Sequence, residues 1–126
     1  MIMVQMIKIK RVYDKADITD GDRILVDRLW PRGIRRSTPN IDVWIKDVAP
    51  SDELRKWFAH DPAKWAAFRE KYKKELVSSK ALNKLVDYIK SKDTVTFLYS
   101  TKDVEHNNAM VLLEVVNERL KKEEKG

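Results

Sequence analysis

Four arginines crowd the stretch VDRLWPRGIRRS, Val26 to Ser37: Arg28, Arg32, Arg35 and Arg36. A guanidinium is a planar fork of N–H donors that binds phosphate or carboxylate two bonds at a time. Arg28 follows Asp27 at the end of an apolar run, so the two read either as the frame of a ligand or as a partly buried ion pair. Such a pair often only offsets its own desolvation cost. One carboxylate cannot satisfy several arginines, which favours an external anion, although Asp42 and Asp47 offer further internal charge. Trp30-Pro31-Arg32-Gly33 reads as a rigid corner, with the indole as core or pocket wall.

A second group lies in YSTKDVEHNNA, Tyr99 to Ala109. Its polar turn leads into a helix, and backbone amides at a helix start favour anions. Lys102 and Asn107 could add donors there, while Asp103 reads as the helix N-cap. His106 is the candidate general acid or base. Asp27, Asp103 and His106 are therefore the candidates for chemistry. Arg11, Arg28, Arg32, Lys102 and Asn107 are the candidates for binding. Asp103 and His106 have i,i+3 spacing, but no third ligand stands out, so no metal site is assigned. His60, in HDP, reads as part of a helix junction. The chain has no cysteine, which excludes a thiolate nucleophile, a disulfide framework and a cysteine zinc site. Glycine-rich nucleotide loops and a Gly-x-Ser-x-Gly elbow are absent as well. No cofactor is named by these residues.

Elements that could position these groups follow from periodicity. MIKIKRVY, residues 6–13, alternates apolar and basic side chains as a strand does. Ile24-Leu25-Val26 is a continuous apolar run, as in an interior strand covered on both faces. DKADITDGD between them reads as a polar loop with a short helical turn. IDVWIKDV fits both helical and alternating spacing, and Pro50 turns it towards a short extended segment. Ser51 caps a helix over DELRKWF, with Asp52 and Glu53 in its first turn. Asp61-Pro62 opens a second helix, with Trp65, Phe68, Tyr72 and Leu76 on one face. A third spans about residues 80–90. TVTFLYS, residues 94–100, is another buried strand, and a last helix carries Ala109, Leu112, Leu113, Val116 and Leu120 on its apolar face. Strands separated by helices imply a largely parallel sheet, whose ligands bind beyond the carboxyl ends of the strands. Tyr13-Asp14, Asp27–Arg36 and Ser100–Asn108 would meet at that edge.

The totals agree with one α/β domain over residues 1–126: a single compact domain with a small, largely parallel sheet flanked by helices. Residues 1–5 read as a loose N-terminal extension and 121–126 as a frayed tail. Net charge is +6, with 37% charged residues, which permits nucleic-acid binding without establishing it. The lysines mostly intermix with glutamate as solvated helix faces. No apolar run approaches the ~20 residues of a membrane span, and the N-terminus lacks the pattern of a signal peptide. Absence of cysteine, a single glutamine (Gln5) and many Lys/Glu side chains fit a cytoplasmic protein from a warm environment.

KIKRVYD, DGDRILVDRLWPRGI, WIKDVAPSDELRKWFAHDP, FREKYKKEL and TFLYSTKDVEHNNA together resemble the domain-of-unknown-function family DUF488, in its short YeaO-like form. The resemblance covers about residues 7–116 and includes Arg11, Asp27, Arg28, Arg32, Arg55, Lys102, Asp103 and Asn107. It implies a compact α/β domain with a small, largely parallel sheet, and it implies no reaction. Ser100-Thr101 stands where many relatives have two alanines, and Asn108 where many have histidine, so a role for a histidine at 108 does not transfer.

The leading expectation is an arginine-lined pocket at the carboxyl edge of the sheet that binds a phosphate-bearing small molecule or nucleotide. Whether a reaction follows is left open. Nucleic-acid binding is the first alternative. A non-enzymatic partner-binding or structural domain is the second, its arginines paired to Asp14, Asp42 and Asp47. Oligomeric state and cofactors are not indicated.

Overall fold

The computed structural model describes residues 6–37 and 40–125; the expected extension at 1–5 lies outside them. Four parallel strands form one sheet in the order β1-β4-β2-β3: β1 (Met6–Arg11), β2 (Asp22–Leu25), β3 (Val43–Trp44) and β4 (Thr94–Tyr99). Four helices complete it: α1 (Asp52–Phe58), α2 (Trp65–Val77), α3 (Lys80–Lys90) and α4 (Asn108–Lys125). The fold is the expected α/β domain with a small parallel sheet.

β4 is central, and its residues Val95 to Tyr99 are all buried. Strand alternation sends Val95, Phe97 and Tyr99 to one face and Thr96 and Leu98 to the other. On the first face they join Ile24, Val26 and apolar side chains from all four helices in the main core. The other face has no α-helix among the described residues. Leu25, Leu98 and Val12 are covered there by Trp30, Ile34 and Ile41 from the loop between β2 and β3 and by Trp44 of β3. Trp30 and Trp44 meet edge to face at 5.3 Å. Their N–H groups donate to Ile34 O and Asp27 O, and the Arg36 guanidinium lies over both rings. Arg36, which the sequence offers as part of a charge cluster, belongs to this lid.

Next to the lid, the same face carries a buried ionic knot. Asp20, at the end of the short helical turn Ile18–Asp20, is fully buried. It accepts from Lys8 at 2.7 Å, from Lys10 at 3.0 Å and from Arg23. The β1–β2 connection thus crosses β4 without an α-helix, and this knot holds it to the sheet. The basic residues that alternate along β1 have their partner here.

IDVWIKDV resolves into the two residues of β3 and a short helical turn at Lys46–Val48. Ser51 caps α1 by accepting from Leu54 N at 3.1 Å. α4 continues through Lys125, across the stretch expected to fray, and Lys90 of α3 pairs with its Glu123 at 2.8 Å. No helix among the described residues is long and apolar enough to cross a membrane.

Candidate anion site

At the carboxyl ends of β1, β2 and β4 the chain leaves a cleft of about 340 Å³. The three segments expected at this edge meet there: Tyr13 after β1, Asp27 to Arg32 after β2, and Ser100, Thr101, His106, Asn107 and Asn108 after β4. Of the residues singled out from sequence, Asp27, Arg28, Arg32, His106 and Asn107 line it, whereas Arg11, Lys102 and Asp103 do not.

Arg11 is turned into the protein. Its Nε donates to Thr101 O at 2.8 Å and its Nη2 to Ser100 O at 3.0 Å, so it secures the loop leaving β4. Lys102 is exposed outside the cleft. Asp103 stands behind His106: its Oδ2 lies 2.9 Å from His106 Nδ1, which orients the ring. Asp103 also accepts from the backbone N–H groups of His106 and Glu105, and these bonds hold its carboxyl below its ordinary pKa. It closes a turn rather than capping the helix as expected. α4 begins only at Asn108, and Asn107 is its cap, accepting from Met110 N at 3.0 Å. Replacing this buried cap with alanine is expected to cost about 1 kcal/mol, read as a fall of about 4 °C in thermal midpoint. An unchanged midpoint would mean that the turn at Asp103 holds the helix start unaided.

Arg28 faces the cleft with its donors largely committed. Nε donates to Pro50 O at 2.9 Å and Nη2 to Ala49 O at 3.3 Å. Its contact with the exposed Asp47 is 3.7 Å, and such surface pairs contribute roughly 0–1 kcal/mol. Asp42 instead accepts from Arg23 N, and Asp14 from Arg11 N. Arg32 is exposed, and its guanidinium has no protein partner among the described residues, while its carbonyl accepts from the Tyr13 hydroxyl at 2.7 Å.

Asp27 is the one acidic residue in the lining. Its Oδ2 accepts both Ser100 N, at 2.9 Å, and Ser100 Oγ, at 2.7 Å. Burial raises its pKa against the opposing bonds from Ser100 and Asn108. The carboxylate is therefore tied to Ser100 and not to a guanidinium. Ser100 supplies the hydroxyl in that tie.

Two basic side chains in the lining, Arg55 and His60, were not assigned to the site from sequence. Arg55 projects from α1, with Nη2 3.3 Å from Asp52 and a buried Nε that has no partner. His60 arrives through two consecutive left-handed residues, Ala59 at φ 46° and His60 at φ 57°. FAHDP contains no glycine to announce that turn. His60 Nδ1 comes within 3.4 Å of Thr101 Oγ1. The far wall is aromatic: Phe58 and Phe68 stack at 4.2 Å, and Trp65 meets His106 edge on at 5.2 Å. No cluster of three potential metal-ligating side chains occurs among the described residues.

Comparison with known proteins places this chain in a family. The model of the inactive DUF488-N3 subclade matches residues 6–126. The uncharacterized protein YeaO of Escherichia coli (strain K12) is 47% identical over 106 residues, covering 84% of this chain and 92% of YeaO. The uncharacterized protein Rv3073c of Mycobacterium tuberculosis (strain H37Rv) is 40% identical over 119 residues, covering 94% of this chain and 100% of that protein. No solved structure matches. With a family model spanning nearly the whole chain and relatives matched over most of their length, the chain belongs to the DUF488 family, in its inactive DUF488-N3 subclade.

Proposed function

We propose that the cleft binds a small phosphate-bearing molecule and holds it without turnover. The observation that carries this reading is the charge balance of the lining. Arg28, Arg32, Arg55, His60 and His106 face a single acid, Asp27, which is bonded to Ser100. The Arg32 guanidinium, unpartnered among the described residues, and the Arg55 guanidinium both line the cleft, and such planar forks suit phosphate oxygens. A volume of about 340 Å³ suits a mononucleotide-sized ligand. The subclade's description as inactive supports binding in place of catalysis. Asp103 and His106 then act as a fixed pair that presents the imidazole to the anion.

The test is calorimetric titration with inorganic phosphate and pyrophosphate, comparing the natural chain with Arg32→Ala/Arg55→Ala. Arg28 is left in place because it also anchors the Ala49 and Pro50 carbonyls. Two lost charge-assisted hydrogen bonds at about 1.5–3 kcal/mol each predict at least ~100-fold weaker binding. Undiminished affinity in the folded double variant sinks the proposal, as does failure of the natural chain to bind either probe.

A further inference from the structure

Asp27 is out of place in a site for a bare anion. It lines the cleft, yet no arginine, lysine or histidine forms an ion pair with it among the described residues. Both Ser100 bonds fall on Oδ2, and a carboxylate offers about four lone-pair sites. No hydrogen bond reaches Oδ1 among the described residues; the Asn108 amide, which helps to lower the Asp27 pKa, donates to Val26 O at 3.0 Å. An inorganic anion seated on the arginines would be repelled by this carboxylate. A ligand carrying N–H donors would instead compensate its desolvation. The lining also has apolar surface, from the stacked Phe58 and Phe68 rings and the side chains of Leu29 and Pro31. A flat ring suits that surface.

We propose that the ligand is a nucleoside monophosphate whose base bears an exocyclic amino group, with the phosphate on the arginines and the amino group donating to Asp27. The inference rests on the anion reading and adds a donor requirement to it. Asp27 is then a specificity residue: it selects among phosphate-bearing molecules and contributes nothing to holding the phosphate.

The experiment uses probe pairs that differ only in the amino group: AMP and purine riboside monophosphate, GMP and IMP, CMP and its 4-deamino analogue. Each is titrated into the natural chain and into Asp27→Asn, with inorganic phosphate as reference. In at least one pair the amino-bearing member should bind the natural chain about tenfold tighter or more, because the deamino analogue leaves a buried acceptor unmade. Asp27→Asn should lose that preference while binding inorganic phosphate as well as before or better, since a repelling charge is gone. Equal binding within all three pairs by the natural chain overturns the inference on its own, whatever the variant does. A preference that survives in Asp27→Asn overturns it too. Parallel loss of phosphate binding in Asp27→Asn marks the residue as structural and has the same effect. If phosphate binds but no pair is distinguished, the anion reading stands and only this inference falls. If no probe binds, both fall.

Discussion

A Gly21→Ala chain is expected to lose more than ~4 kcal/mol of stability, at the upper end of single-substitution effects. Gly21 ends the helical turn at Asp20 with φ 62° and ψ −144°, a conformation that costs a residue with a side chain about 1–3 kcal/mol. Space is the larger problem. A Cβ there would stand 2.0 Å from Thr94 O and 2.7 Å from Thr94 C. Those are backbone atoms at the start of the central strand, so no rotamer change relieves the clash, and β4 or the crossover must move. Domains of this kind hold about 5–15 kcal/mol in all. Urea unfolding should show a midpoint reduced by a third or more, or poor recovery of folded protein. A midpoint within about 0.5 kcal/mol of the natural chain would mean that the crossover does not lie against Thr94. Gly33 is the internal contrast: it also has positive φ, at 82°, but a Cβ there meets nothing within 4 Å.

Asp20→Ala should cost about 3–5 kcal/mol, the usual penalty for removing one side of a buried charge cluster. It would leave Lys8, Lys10 and Arg23 converging on no carboxylate. The same group makes a prediction about pH. Burial alone would raise the Asp20 pKa, but the bonds from Lys8, Lys10, the Asp17 backbone and Arg23 outweigh it and hold the pKa well below its ordinary value. A depressed folded pKa contributes stability that is fully present above the unfolded pKa, about 3.9. That stability is lost as pH falls through the lower folded value. The difference in unfolding free energy between the natural chain and Asp20→Asn should therefore be constant from neutral pH down to about pH 5. It should shrink only in stronger acid. A difference that already collapses near neutral pH would exclude the ionised knot.

The readable parts of the sequence were those where one residue type has one physical use. Ile24-Leu25-Val26 is apolar without break and Val95 to Tyr99 is apolar but for Thr96, and both lie in the sheet interior. Ser51 before two acids marks the start of α1. The carboxyl-edge rule then brings Asp27, Arg28, Arg32, His106 and Asn107 to one cleft, because it needs only the order of strands and turns. The illegible parts depend on distant backbone. Arg11 resembles any other arginine until the carbonyls of Ser100 and Thr101 arrive beside it. Trp30, Trp44 and Arg36 build the lid over the helix-free face, which periodicity has no means to announce. Arg55 reaches the cleft from α1, and His60 through a left-handed pair without glycine. Asp103 and Asn107 are both good caps, and only the observed start of α4 separates their roles.

The position of β4 also bears on how the chain is made. β1 and β2 do not pair with each other; each pairs with β4, and only the two-residue β3 adds to β2 from nearby in sequence. A nascent chain that has released everything up to α3 therefore holds two strand edges with nothing between them. The sheet closes only when residues 94–99 emerge, so folding on the ribosome must wait for β4 to leave it. Until then the exposed edges of β1 and β2 are what a chaperone would encounter.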